Sequence, residues 1–245
     1  MSDFAPAIAA PMALGDDALV LGQRLGEWCG HAPTLELDLA LANIGLDLIG
    51  QAQHFLALAG VREGSGRDAD VIAFRRDGFE FTNCLLVEQP NGDFAQTIAR
   101  QFLFSVWQEL AFAELASGGD AEVAAVARKA LKEIAYHARF ASEWVVRLGD
   151  GTDESRERMT DGLAWMWRFT GELFDPAERG LGVDLAGLRP AWDLRIDAAL
   201  DEAGLERPAE QRPVTGGRQG RHTEHLGHLL SEMQYLQRAY PDAVW

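Results

Sequence analysis

Residues 35–59, LELDLALANIGLDLIGQAQHFLALA, restrict the possible folds more than any other stretch of this chain. Placed on a helix at 100° per residue, Glu36, Asn43, Asp47 and His54 fall within about 20° of one line, with Gln51 close beside it. Nearly every other position is Leu, Ile, Ala or Phe. A helix that is apolar almost all round is expected to be buried on most sides. A narrow polar line on such a helix must then find partners inside the protein. The expectation is a helix through the middle of a bundle, with its polar line facing other polar groups. In helical bundles that bind two metal ions, Glu residues and Glu-x-x-His pairs occupy such a line.

The flanking segments read as further helices. Residues 1–14 read as a flexible tail, followed by a single domain over 15–245. Asp16 can cap a first helix from Asp17 to about Cys29, closed by Gly30 and Pro33, and Thr34 can cap the central helix. Gly60–Asp68 reads as a polar loop before a short helix near Asp70–Arg76. Phe79–Val87 is apolar and fits either helix or extended chain. Asp93 and Gln96 form a capping-box signal for a helix to about Ala116. Residues 121–148 are amphipathic, with Arg128, Lys132, Arg139 and Glu143 on one face and Val126, Ala130, Phe140, Trp144 and Leu148 on the other. Further helices are expected from Asp153 to before Pro176, over Arg189–Ala203, and from Thr223 to about Arg238. Pro208–Arg221 reads as a Gly/Pro/Arg-rich connector. No βαβ pattern and no 20–50-residue repeat is evident. The expected class is an all-α bundle of six or more helices.

Charge and cysteine usage exclude several function classes. The formal net charge is −16 over 245 residues, which argues against nucleic acid and anionic membrane as partners and for a basic protein surface. Lys129 and Lys132 are the two lysines among 22 basic residues, so arginine, suited to planar carboxylate pairing, carries most of the positive charge. Cys29 and Cys84 make no disulfide framework. The N-terminus has no basic segment ahead of a long apolar core, so it does not read as a secretory signal. No run of 18 uncharged apolar residues suggests a membrane span. A reduced, cytoplasmic protein is expected.

Three clusters could carry chemistry. The residues three positions before the six histidines are Trp28, Gln51, Ile134, Gln219, His222 and His225, so no Glu-x-x-His pair exists. Asp47 is followed by Gly50 where a ligand His would stand, and His137 is preceded by Ile134 where a ligand Glu would stand. Asp47, Glu133 and His137 therefore read as a polar remnant, and no metal is expected; a single remnant ion has too few ligands. His222, His225 and His228 spread over about 120° of helix and cannot all face one ion; capping and partner contact suit them better. Thr215–Arg221 (TGGRQGR) is basic, Gly-rich and placed before a helix start. Arg218 and Arg221 are candidates for holding an anion such as a phosphate, or an acidic edge of a partner, against the alternative of a plain connector. The segment lacks the Lys-Ser/Thr of a P-loop. No catalytic residue is assigned.

Gly26–Pro33 (GEWCGHAP), Leu41–Leu48 (LANIGLDL), Val87–Gly92 (VEQPNG), Tyr136-His137, His222–Gly227 (HTEHLG) and Glu232–Arg238 (EMQYLQR) together resemble the PaaC family of phenylacetyl-CoA epoxidase components, over roughly Gly15 to the C-terminus. The resemblance implies a ferritin-like fold and a non-catalytic structural subunit of a multicomponent monooxygenase in aerobic phenylacetate breakdown. It implies no cofactor in this chain, a di-iron centre in a PaaA-type catalytic partner that binds the CoA thioester, and a reductase with flavin, iron–sulfur and NADPH chemistry. The anion at Arg218 and Arg221 would then be a CoA phosphate. Hetero-oligomeric partners would be the PaaA-type catalytic component, other small components and the reductase. The rival, an independent ferritin-like di-metal oxygenase, requires the Glu-x-x-His pairs that are absent.

Overall fold

The computed structural model describes residues 6–175, 181–241 and 243. Among them are ten α-helices and no strand, the all-α class expected and consistent with a ferritin-like bundle. The chain gathers into two compact units. Residues 1–88 and 216–245 form the first, and residues 89–215 form the second.

The first unit is built on a helical hairpin. Helix α1 (Pro6–Gly26) runs into a turn, and α2 (Leu35–Glu63) returns beside it. Asp38 organises the turn by accepting from the Gly30 and Ala32 amides at 2.7 and 3.4 Å. Thr34 caps α2 as expected, accepting from the Leu37 amide at 3.4 Å. The two helices approach closely at Gly22 and Gly45, where a Cβ on either would lie 3.2–3.4 Å from the other's carbonyl oxygen.

Two expectations for this unit are corrected. The supposed tail is helical from Pro6, and Met12, Ala13 and Leu14 are buried. Pro11 sits inside α1 and cannot donate to the Ala7 carbonyl, but Arg62 supplies that bond from α2 at 2.9 Å. Helix α2, in turn, is one-sided rather than buried on most sides. Leu37, Leu41, Ile44, Leu48, Ala52, Phe55 and Ala59 face α1 and the core, while Leu35, Leu39, Leu46 and Val61 are exposed. Of the polar line, Gln51 is buried, Asp47 is half-buried, and Glu36, Asn43 and His54 are exposed. α2 is also long and apolar enough to span a bilayer, but 56 % of its most apolar window is buried in the protein, as in a core helix.

The rest of this unit follows from short helices and a returning C-terminal segment. Helix α3 (Ala69–Arg75) is capped by Asp68, and the ambiguous 79–87 stretch resolves into a 3₁₀ turn at Gly78–Glu80, an extended step and α4 (Leu85–Glu88). The C-terminal segment contributes α9 (Glu224–Met233) and α10 (Tyr235–Ala239). They are broken at Gln234, whose buried amide donates to the Ala73 and Arg76 carbonyls at 3.1 and 3.0 Å.

The second unit is a hairpin of α5 (Phe94–Ser117) and α6 (Ala121–Gly149), with α7 (Asp153–Trp167) and α8 (Leu185–Ala203) packed on it. Asp93 caps α5 through the Gln96 amide at 2.9 Å, but the Gln96 side chain turns to the Pro90 carbonyl instead of closing the box. The buried stripe of α6 is Val123, Ala127, Ala130, Ile134, Ala138, Ala141 and Val145. The larger Val126, Phe140, Trp144 and Leu148, expected in the core, are half-buried at its edge. Small side chains let α5 and α6 approach closely, and α5 supplies the bulk with Phe102, Phe104, Trp107 and Phe112. α8 begins at Leu185, four residues before the expected start, because Asp184 caps it through the Gly187 amide at 3.2 Å.

Candidate functional site

The polar chemistry of the first unit lies along α1. Asp16 and Asp17, consecutive and buried, point to two different arginines. Asp16 binds the Arg76 guanidinium, Nη1 donating at 3.1 Å and Nη2 closer, and accepts from the Thr82 amide and hydroxyl at 2.8 and 3.0 Å. Asp17 accepts from the Cys84 amide at 2.7 Å and from Arg218 Nη1 and Nη2 at 3.0 and 2.6 Å. Further along the helix, Arg24 donates to the Glu88 carbonyl through Nε and Nη2 and to the His225 carbonyl through Nη2.

Glu88 completes this seam. Its carboxylate is fully buried and takes four donors: Asn83 Nδ2 at 2.8 Å, His222 Nδ1 at 2.7 Å, and the Thr223 amide and hydroxyl at 2.6 and 2.8 Å. The other imidazole nitrogen of His222 faces the Phe81 carbonyl at 2.9 Å. Two acceptors around one ring are matched by the two N–H donors of an imidazolium. Burial alone would lower its pKa, but the hydrogen bond and charge of Glu88, the Phe81 carbonyl and the charge of Asp16 outweigh it and hold the pKa above the usual value. Burial pushes the Asp17 carboxyl up, against the opposing pull of Arg218 and Cys84. Every carboxylate oxygen of Asp16, Asp17 and Glu88 has a donor. The seam therefore offers no open position for a metal or substrate, and what it does is fasten residues 216–225 to α1 and to the 81–88 segment.

This arrangement corrects the reading of the Gly/Arg loop. Arg218 is not available to a phosphate, since its donors go to Asp17, the Thr82 carbonyl at 2.8 Å and the Ala13 carbonyl at 3.3 Å. The glycines are there for close backbone approach: a Cβ on Gly217 would collide with the Asn83 carbonyl oxygen, and one on Gly220 with that of Phe79. Arg221 alone of the pair is exposed, with Nη2 on Gln219 Oε1 at 3.2 Å. Asp16 likewise lies mid-helix, not at a cap. Sequence reasoning missed Asp17, Arg76 and Glu88; the available signal was two adjacent carboxylates inside the apolar run PMALGDDALVLG.

The remnant residues are carried by two helices. Asp47 is half-buried on α2 in the first unit; on α6 in the second unit, Glu133 is half-buried and His137 fully buried one turn apart. Ile134, at the position of a ligand Glu, is fully buried, and Gly50 brings no side chain to bind with. Among the described residues no group of three or more His, Cys, Asp or Glu stands close enough to hold a metal ion. Gly50 and Ile134 leave neither Asp47 nor His137 in a Glu-x-x-His pair. His222 is spent on both nitrogens, and His228 is exposed. Cys29 and Cys84 are free thiols, one exposed and one buried. A groove of about 590 Å³ runs past Asp77, Leu230, Gln234, Tyr235 and Arg238, but Arg238 is engaged with Asp77 Oδ1 at 2.9 Å and the Arg76 carbonyl at 2.8 Å.

The described residues thus define an all-helical protein whose buried carboxylates pair with cationic side chains of its own chain. The family described as "Phenylacetic acid catabolic protein", spanning its PaaA and PaaC members, matches residues 3–245, and this chain belongs to it. Within that family the chain is similar to the C component of the 1,2-phenylacetyl-CoA epoxidase of Escherichia coli (strain K12), with 52 % identity over 244 residues covering 97 % of this chain and 98 % of the relative.

Proposed function

We propose that this chain is the non-catalytic structural subunit of a phenylacetyl-CoA epoxidase, assembled with a homologous catalytic subunit in the aerobic breakdown of phenylacetate in the cytoplasm. The observation that carries this reading is the end-to-end identity of 52 % with the C component of such an epoxidase. It is supported by Gly50 and Ile134, which leave neither Asp47 nor His137 in a Glu-x-x-His pair. The iron of the complex would then reside in the catalytic subunit, and flavin, iron–sulfur and NADPH chemistry in the reductase. Asp47, Glu133 and His137 are vestiges of ligand positions, kept as polar side chains after the metal was lost. The role of the chain is to give the catalytic subunit a folded surface of matching architecture.

Reconstitution tests this directly. The reductase and the catalytic subunit are mixed with phenylacetyl-CoA and NADPH, with and without this chain, and epoxide formation is measured. Turnover that depends on the chain, with none from the chain and reductase alone, is the expected result. Epoxidation by the chain in the absence of the catalytic subunit would overturn the proposal.

A further inference from the structure

The exposed side of α2 has a periodicity of its own. Leu35, Leu39, Ala42, Leu46, Ile49 and Gln53 are spaced 4, 3, 4, 3 and 4 residues apart, the alternation of a coiled-coil seam. Leu35, Leu39 and Leu46 are 72, 56 and 69 % exposed, and Ala42 and Ile49 half-buried. These positions lie opposite Leu37, Leu41, Ile44 and Leu48, which face the core. Val61, 77 % exposed, extends the apolar surface to the far end of the helix. A contiguous strip of this kind, about 39 Å long at 1.5 Å per residue, marks an interaction surface, unlike a singly exposed leucine.

A groove of about 240 Å³ adjoins the C-terminal end of this strip at Ile49 and Gln53, lined also by Leu19, Leu56, Asp70 and Phe74. It gives a partner's side chain somewhere to insert. Two carboxylates of α2 lie on the polar line next to the strip. Glu36 and Asp47 border it, Asp70 stands at the groove, and the only Lys or Arg of α2, Arg62, is turned to the Ala7 carbonyl.

We propose that the Leu35–Gln53 strip of α2 is the docking site for one helix of the catalytic subunit, laid alongside α2 with apolar side chains in the 3–4 seam and Arg or Lys flanking it. This rests on the structural-subunit reading above. A 3–4 seam fits a helix aligned at a small angle rather than a strand or loop, and the carboxylate border selects a basic flank and repels an acidic one.

The experiment uses the full chain. Leu39→Glu/Leu46→Glu puts two carboxylates into the seam, and Leu194→Glu, at an isolated leucine that is 72 % exposed on α8, is the control. Affinity for the purified catalytic subunit is measured by titration, with circular dichroism melting to verify the fold. The double variant should bind about 100-fold more weakly with an unchanged melting curve, and the control should bind as the native chain does. Should the double variant unfold, Leu35→Glu replaces it, since a carboxylate in the first turn suits the helix dipole. Binding within twofold of native by a folded variant would overturn the docking site alone. A native chain that does not bind the catalytic subunit would overturn the functional reading and the docking site with it. A native homodimer in light scattering that the same substitutions dissociate would also overturn the proposal, since a second copy would be the occupant.

Discussion

In the α1–α2 unit three carboxylates, Asp16, Asp17 and Glu88, lie at 0–1 % exposure, each against a cation from a distant part of the sequence. The α5–α6 unit also buries polar side chains, Arg100, Gln101 and Glu172 among them, but its largest buried side chains are aromatic. Trp107 and Trp192 are fully buried, and their indole N–H groups donate to the Leu173 and Leu103 carbonyls at 2.9 and 3.0 Å. Trp192 lies 5.6 Å from Trp167 and 5.2 Å from Phe174, centroid to centroid. The difference follows from chain order. The α5–α6 unit is one continuous segment and condenses around its own apolar residues. The α1–α2 unit must capture a segment that returns from the far end of the chain, and buried ion pairs with fixed geometry specify which segment docks and in what register. Such pairs add little net stability over an apolar isostere, but breaking one is costly.

The largest effect should come from breaking a pair. Arg218→Ala or Asp17→Ala should each destabilise the protein by about 3–5 kcal/mol, because each leaves a buried charge without its partner. Asp17→Leu/Arg218→Met, which removes both charges, should cost much less than the two single losses combined. Urea unfolding at pH 7 measures all three. The Arg218→Ala loss should shrink in acid, where the carboxyl of Asp17, already raised by burial, takes up a proton and ceases to be a charge. Additive losses would break the contrast between the units.

The α5–α6 unit should answer to volume instead. Ala138→Leu, at a fully buried position on the alanine stripe of α6, forces the hairpin apart and should cost about 1–3 kcal/mol with no dependence on pH. Differential scanning calorimetry at pH 6 and pH 8 would show equal losses.

A smaller effect sharpens the comparison by titration. His222 has a raised folded-state pKa, so its contribution is fully present below about 6.5, its ordinary value, and is lost as pH rises through the raised one. The native chain should therefore lose stability over that interval, and His222→Gln, already lacking the imidazolium, should lose less there. Hydrogen exchange of the 222–233 amides would show the loosening locally. Identical pH profiles would remove His222 from the clamp.

Much of the helix plan was legible because its signals are local. Thr34 and Asp93 each cap the helix that follows them, and both caps could be read a few residues away. The resemblance motifs were equally readable, being contiguous. The seam was not, since Asp17 and Arg218 are 201 residues apart and nothing in either neighbourhood names the other. TGGRQGR shows why composition misleads. Glycines beside arginines suit a phosphate cradle and suit a backbone pressed onto another backbone; only the nearness of the Asn83 and Phe79 carbonyls decides for the second. α2 misled in a different way. Its leucines read as core on most sides, yet several of them form a second apolar face, and periodicity alone cannot separate a core from an interface.

The central claim is that this is a scaffold whose polar groups are spent on itself, and metal content tests it most directly. The full chain is expressed in iron-rich medium, purified without chelator and measured by mass spectrometry of metals beside its catalytic partner treated identically. The account predicts iron well below one ion per chain here, with the partner loaded. About two iron ions per chain, the stoichiometry of a ferritin-like carboxylate centre, would contradict it.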